Sequence, residues 1–413
     1  MNILLFSDSK AWQRMHVGPL GPYIDTFAQH LLQQGYAVWT IIDKLRVVTK
    51  LSQWLEFHQL GLGALDEQQV TAFIHQLHQR EHRTYHGDHT TLRMFLEHMR
   101  SCGILPVSVP KVEANALVLL EQDFIQYLRE QRGLSAATLH NYLPFARCFL
   151  SERFGQGAVE LKRLSTSDVS EFVLRHAPKL GPACAKLMVT ALRSFFRFLH
   201  QSGQLDMDLA NAVPTVAHWC LSTLPKYLEP EQVDQLLQSC DQNTTLGQRN
   251  HTVLLLLARL GLRAGEVVKL SLDDIDWHAG LLTVRGKGSQ VDQLPLQMDV
   301  GEALATYLSQ GRPICTTRRV FVRSRAPYVG FASSVAIDSI VRRALKRAGL
   351  TPLHQGAHLL RHSLATRMLR QGASLTEIGQ VLRHRLRQTT EIYAKIDQAT
   401  LGALAQPWPG SAI

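Results

Sequence analysis

Leu281-Leu-Thr-Val-Arg285, then Gly286-Lys287-Gly288-Ser289, then Gln290-Val-Asp-Gln-Leu-Pro-Leu296 is the one stretch of this chain that reads clearly as paired strands. Thr, Val and Leu around a glycine-rich turn form the pattern of a β-hairpin. On both sides of it the apolar residues recur at three- and four-residue spacing, the period of amphipathic helices. The hairpin therefore predicts its setting: a mainly α chain with a small β-sheet in the C-terminal part. Upstream, Glu229-Pro-Glu-Gln-Val-Asp-Gln-Leu-Leu237 opens a helix with proline and acidic residues in its first turn. A helix from residue 250 should close near Gly261, a residue suited to end it. Helices return from Ser333 onward, and Ser374-Leu-Thr-Glu377 reads as a capping box.

The first half carries the same pattern twice. Phe27-Ala-Gln-His-Leu-Leu-Gln-Gln34 matches Phe124-Ile-Gln-Tyr-Leu-Arg-Glu-Gln131, and Leu65-Asp-Glu-Gln-Gln-Val-Thr-Ala-Phe73 matches Leu164-Ser-Thr-Ser-Asp-Val-Ser-Glu-Phe172. Leu92-Arg-Met-Phe-Leu-Glu-His-Met99 then matches Leu192-Arg-Ser-Phe-Phe-Arg-Phe-Leu199, each followed by a glycine, Gly103 or Gly203. Order, spacing and terminal glycine together predict a duplicated small helical bundle. Proline-bearing linkers at 106–112 and 210–225 divide the chain into a helical module at 1–108, a second helical domain at 115–207 and an α+β domain at 225–413.

A length of 413 residues fits two or three such domains. With 19% charged and 45% apolar residues the chain is globular, and a formal charge of +10 favours a polyanionic partner. Six scattered cysteines (Cys102, Cys148, Cys184, Cys220, Cys240, Cys315) include no C-x-x-C pair, which argues against a zinc ribbon or a disulfide framework and suits a reducing cytoplasm. The first residues carry no basic stretch ahead of a long apolar run, so no signal peptide is expected. The most apolar run, 253–258, is short and followed by Arg259, so it reads as a buried helix and not a membrane span.

The C-terminal part also holds an ordered set of polar residues. Arg263 stands in Leu260-Gly-Leu-Arg-Ala-Gly-Glu266, directly after the apolar helix, and Lys287 sits between two glycines at the hairpin tip. His358-Leu-Leu-Arg361-His362 puts His358 and Arg361 on one helix face. His384 precedes Thr389-Thr390-Glu-Ile-Tyr393-Ala-Lys395. The order Arg263, Lys287, His358, Arg361, His384, Tyr393 resembles the active-site signature of the tyrosine recombinase and integrase family, as do the words LGLRAGEVVKLSLDDIDW, RGKGSQVDQLPL and HLLRHSLATRML around it. The resemblance is close over 225–400, and 115–207 is similar to the family's core-binding domain. The 1–108 copy has no counterpart in minimal members; it resembles the extra module of larger, transposon-borne ones.

That resemblance implies a site-specific recombinase that cleaves and rejoins double-stranded DNA through a 3′-phosphotyrosine, without ATP, cofactor or catalytic metal. It implies a homo- or hetero-tetramer on DNA and no membrane partner. Tyr393 becomes the nucleophile, Arg263 and Arg361 the phosphate clamp, Lys287 the acid for the departing 5′-oxygen, His358 an aid to proton transfer, and His384 a donor to a non-bridging oxygen. The residue types suit this chemistry, since guanidinium groups stay charged at neutral pH and grip phosphate oxygens in a plane. Glu266 should orient the arginines, while His362, one residue on from Arg361, reads as structural. Arg383 departs from the glycine that the family usually has before its last histidine. A type IB topoisomerase, which shares this chemistry, and a non-catalytic accessory subunit are the competing readings.

Overall fold

The computed structural model describes residues 9–81, 86–106, 116–155, 159–217, 224–286 and 290–396. They form two compact units, one within 1–108 and 224–413, the other within 109–223. The chain is mainly helical with one small antiparallel sheet, as the periodicity predicts.

The N-terminal segment contributes α1 (Ser9–Met15), α2 (Ile24–Gln33), α3 (Val38–Phe57), α4 (Glu67–Glu81) and α5 (His86–Ser101). Their apolar stripes meet in a core that includes Phe27, Leu31, Leu45, Phe73, Leu92, Phe95 and Met99. Residues 109–223 contribute α6 (Ala116–Gln126), α7 (Ala136–Phe154), α8 (Thr166–His176) and α9 (Pro182–Gln201), around Phe124, Phe149, Phe172, Leu192, Phe195 and Leu199. The matched sequence positions do the same work in each bundle. Phe27 meets Phe95 edge-on with centroids 5.1 Å apart, and Phe124 meets Phe195 edge-on at 5.1 Å. Such pairs add to the hydrophobic gain of burial.

Both final helices stop in the same way. Gly103 (φ +71) and Gly203 (φ +70) take the left-handed conformation. The next residue's N–H then turns back to the carbonyl of Met99 (3.0 Å) or Leu199 (2.9 Å). This is the glycine-terminated cap that satisfies orphan carbonyls at a helix end.

The C-terminal part runs α10 (Pro230–Gln238), α11 (Thr245–Arg259), α12 (Ala264–Lys269), β1 (Ile275–Asp276), β2 (Leu281–Arg285), β3 (Val291–Pro295), α13 (Met298–Thr306), α14 (Val335–Arg347), α15 (Ala357–Arg370) and α16 (Leu375–Val381). The sheet has order β1-β2-β3, with Leu282 opposite both Ile275 and Leu294. Leu282 and Val284 of β2 enter a core built on Val253, Leu254, Leu256 and Leu257 of α11 and Val341 and Leu345 of α14. The hairpin and the Ser374–Glu377 capping box form where expected.

Three features differ from the sequence reading. α11 starts at Thr245 and not at residue 250, because Thr244 caps it by accepting from the Gly247 N–H (3.0 Å). β1 is only two residues long, too short to show alternation, and α13 follows the hairpin where the sequence announces no helix. The hairpin tip with Lys287 lies outside the described residues.

The cap geometry yields a stability prediction. Nothing lies within 4 Å of a Cβ built on Gly103 or Gly203, so an alanine there meets only the left-handed backbone. Gly103→Ala and Gly203→Ala should each cost about 1 kcal/mol in urea denaturation. Unchanged stability in both would contradict the shared cap.

Candidate active site

Arg361 is the centre of the site. It lies on α15 with its side chain buried at 3% exposure. Its Nη1 donates to the carbonyl oxygen of Gly261 at the end of α11, and its Nη2 to that of Leu382 at the end of α16. Helix C-termini present unpaired carbonyls and the negative end of the helix dipole, so these are natural seats for a cation. Burial, with the nearby charges of Arg263 and Arg383, pulls the Arg361 pKa down to about 9. It stays charged at neutral pH.

Arg263 caps α12 and is tied by Glu266. The Glu266 carboxylate accepts from the Arg263 backbone N–H (2.9 Å) and from its Nη1 (2.7 Å). Arg263 Nη2 donates to the Arg383 carbonyl (3.2 Å). Arg383 Nη2 donates to Glu266 Oε2 (2.9 Å). Burial works against the Glu266 carboxylate, but the Arg263 N–H and the two guanidinium groups prevail and hold its pKa below the ordinary value. Glu266 therefore orients arginines, as the sequence suggests.

The turn after α16 sets His384. Its backbone N–H returns to the Gly379 carbonyl (2.9 Å), that of Arg383 to Gln380 (3.0 Å), and Arg383 itself sits at φ +55. This is the helix stop that glycine normally makes; a non-glycine residue there carries roughly 1–2 kcal/mol of strain. The His384 Nδ1 pairs with the Thr390 hydroxyl (2.8 Å). Burial and the surrounding arginines bring the His384 pKa down to about 4.

Tyr393 is buried at 1% exposure in a small core with Leu364, Ala365, Ile378 and Leu382. Its hydroxyl lies 2.8 Å from His362 Nδ1, and the two rings meet edge-on with centroids 5.6 Å apart. Burial pushes the Tyr393 pKa up to about 12, against the pull of Arg361, while burial with His358 and Arg361 lowers that of His362 to about 4. At neutral pH a protonated phenol thus faces a neutral imidazole, and the tautomer with Nε2 protonated makes Tyr393 the donor.

His362, read from the sequence as structural, is the residue that the structure puts against the Tyr393 hydroxyl. His358 and His362 are four residues apart, hence on one helix face, with rings 6.3 Å between centroids. The spacing is visible in the sequence when counted from His358, and is hidden when counted from Arg361. His358 itself keeps an exposed face, and no hydrogen bond joins it to Tyr393 among the described residues. Crowding by protein and the Arg361 charge lower its pKa. Of the six residues singled out in the sequence, Arg263, His358, Arg361, His384 and Tyr393 gather in one cluster with Glu266, His362 and Arg383.

One group among the described residues brings three metal-ligand atoms within 4.8 Å: Cys148, Glu152 and His176. It lies in the 109–223 unit, apart from the arginine cluster in sequence, and Glu152 is already engaged by Arg175 and His176.

The two acid-shifted histidines fix a pH dependence. The unfolded chain takes up protons near 6.5 that folded His362 and His384 refuse until about 4. Stability from these groups is complete above 6.5 and lost as pH falls toward 4. The melting temperature should drop between pH 7 and 4.5, and His362→Gln should flatten part of that slope. A melting temperature constant over this window would contradict the two buried neutral imidazoles.

Comparison with known proteins assigns the family. The phage integrase family matches residues 226–400, and its N-terminal SAM-like domain matches 122–203. An integrase/recombinase of Sinorhizobium fredii is 43% identical over 404 residues, covering 97% of this chain and 98% of the relative. The tyrosine recombinase XerD of Mycobacterium tuberculosis is 33% identical over 314 residues, 71% of this chain and 97% of the relative. Among solved structures, XerH site-specific recombinase bound to a palindromic difH substrate aligns with TM-score 0.56 at 19% identity, over 76% of this chain and 94% of that one. A lambda integrase dimer bound to a COC′ core site aligns with TM-score 0.51 at 19% identity, over 71% and 98%. The chain belongs to the phage integrase family and is an enzyme of the tyrosine recombinase type.

Proposed function

We propose that this enzyme recombines double-stranded DNA at specific sites, by two transesterifications through Tyr393. The observation that carries the reading is the Tyr393 hydroxyl hydrogen-bonded to His362 within a cluster of guanidinium groups. Tyr393 Oη attacks the scissile phosphorus and becomes a 3′-phosphotyrosine, and the 5′-oxygen leaves as a hydroxyl. A free 5′-hydroxyl from another strand then attacks the same phosphorus and returns the phenol. The bond energy kept in the phosphotyrosine makes ATP unnecessary.

The resting site is held inactive by its own electrostatics. Moving a proton from a phenol at about 12 to an imidazole at about 4 costs on the order of 10 kcal/mol. A phosphate seated on Arg263 and Arg361 offsets the smaller, charge-borne part of the imidazole shifts, while burial, the larger cause, remains. His362 is the base nearest the nucleophile, with His358 beside it. The arginines stabilise the charge that develops on the non-bridging oxygens. His384 donates to one of those oxygens. Lys287, at the hairpin tip, serves as acid for the 5′-oxygen; this role rests on its sequence position.

DNA as partner is supported by the solved relatives, which hold DNA, and by the net positive charge of the chain. We read the working assembly as a homo- or hetero-tetramer on DNA. Residues 1–108 act as a second DNA-binding or assembly module beside the core-binding domain at 115–207, a reading supported by their common caps and phenylalanine pairs. The 225–413 segment is the catalytic domain. No described helix is long and apolar enough to cross a membrane, and we read the enzyme as cytoplasmic. A relaxation-only topoisomerase gains no support from relatives named integrases and recombinases.

A nicked suicide substrate tests the chemistry. Tyr393→Phe should abolish the covalent adduct and leave DNA affinity within a few-fold. Because guanidinium groups supply the positive charge, single-turnover cleavage in EDTA should match that in magnesium. An adduct in the Phe protein, or a chemical step that needs a divalent ion, would refute the mechanism. His362→Ala should slow cleavage about 10²-fold, the usual worth of a proton acceptor. A wild-type rate would remove His362 from proton transfer.

A further inference from the structure

We propose that Arg383 is a positioning residue of this active site, which shares Glu266 with Arg263 and so fixes Arg263 for the phosphate. The inference rests on the reading of Arg263 and Tyr393 given above. Arg383 is one of two non-glycine residues with positive φ among the described residues, the other being Gln59. A glycine would make the same helix stop without strain, so the stop itself does not call for an arginine.

The side chain shows what does. It is 6% exposed and turned inward, where Nη2 reaches Glu266 (2.9 Å) and Nη1 the Val381 carbonyl (3.1 Å). Its Nε is buried without a hydrogen-bond partner, an arrangement that packing alone would not favour. The Arg383 carbonyl accepts from Arg263 Nη2. Arg383 thus holds Arg263 twice, directly through its backbone and indirectly through the carboxylate. With Arg383 present, Glu266 divides its charge between two guanidinium groups, and Arg263 keeps a surplus for an anion. The cluster of Arg263, Arg361 and Arg383 with Glu266 carries three positive charges and one negative. That surplus suits a pentacovalent phosphate bearing two negative charges.

The charged groups facing Glu266 are Arg263 on its own helix, Arg383 from the turn after α16 and Arg361 from α15. Without the Arg383 charge, one of the groups that oppose the burial of Glu266 is lost, so its pKa rises and its hold on Arg263 weakens toward acid pH. The test is single-turnover cleavage of a suicide substrate by the full chain between pH 5.5 and 8. Arg383→Gly should cleave at least tenfold more slowly at pH 7.5 and fall away further at acid pH than wild type. Arg383→Lys should restore most of the rate. In a Glu266→Gln background, Arg383→Gly should add no further pH-dependent loss. Should the glycine variant not fold, Arg383→Gln, which keeps a donor without the charge, is expected to show the same acid-side loss. A wild-type rate and profile in Arg383→Gly overturns the inference. So does a loss that lysine does not restore and that has no pH dependence, since that marks a structural role only. Wild-type adduct formation is the control: its absence defeats the catalytic reading itself, whereas its presence with an indifferent Arg383 defeats this inference alone.

Discussion

The rest of the C-terminal architecture depends on one buried positive charge. An arginine taken out of water without partners is costly, and Arg361 is 3% exposed. Its partners are two backbone carbonyls, Gly261 and Leu382, contributed by the ends of different helices. Three segments far apart in sequence must therefore meet at one guanidinium. Gly261 shows how tight the meeting is: it sits at φ +58, and a Cβ there would come within 2.8 Å of Leu382 and 3.0 Å of Leu364. Glycine suits this position because its backbone takes the left-handed conformation without strain and leaves room for the two leucines beside Arg361.

From that charge the chemistry follows by proximity. Arg361 helps hold His362 and His384 neutral and pulls on the Tyr393 phenol. Burial does most to keep the imidazoles poor bases in the resting protein, and the Arg361 charge adds to it. Burial keeps the Tyr393 phenol protonated at neutral pH in the resting protein.

Much of this is legible in the sequence, and the exceptions have physical causes. Arg263, Arg361, His384 and Tyr393 are readable because their order and the words around them resemble the signature of the tyrosine recombinase family. The paired bundles are readable because Phe27 and Phe95, and Phe124 and Phe195, keep equivalent positions ahead of a glycine stop. His362 escapes a sequence reading because its partner lies 31 residues on, at Tyr393, and only the fold brings the two together. Arg383 stands out as a departure from a glycine pattern, but sequence cannot show a side chain turning inward to a carboxylate 117 residues away. β1 escapes notice because two residues carry no period.

The central claim is that the hydroxyl beside His362 attacks phosphorus under the arginines. It is tested most directly by trapping the cleaved suicide complex, digesting the DNA to a short remnant and mapping the modified peptide by mass spectrometry. The account predicts a single adduct, a 3′-phosphoryl nucleotide on Tyr393. An adduct on any other residue, or one joined through a 5′-phosphate, would contradict it.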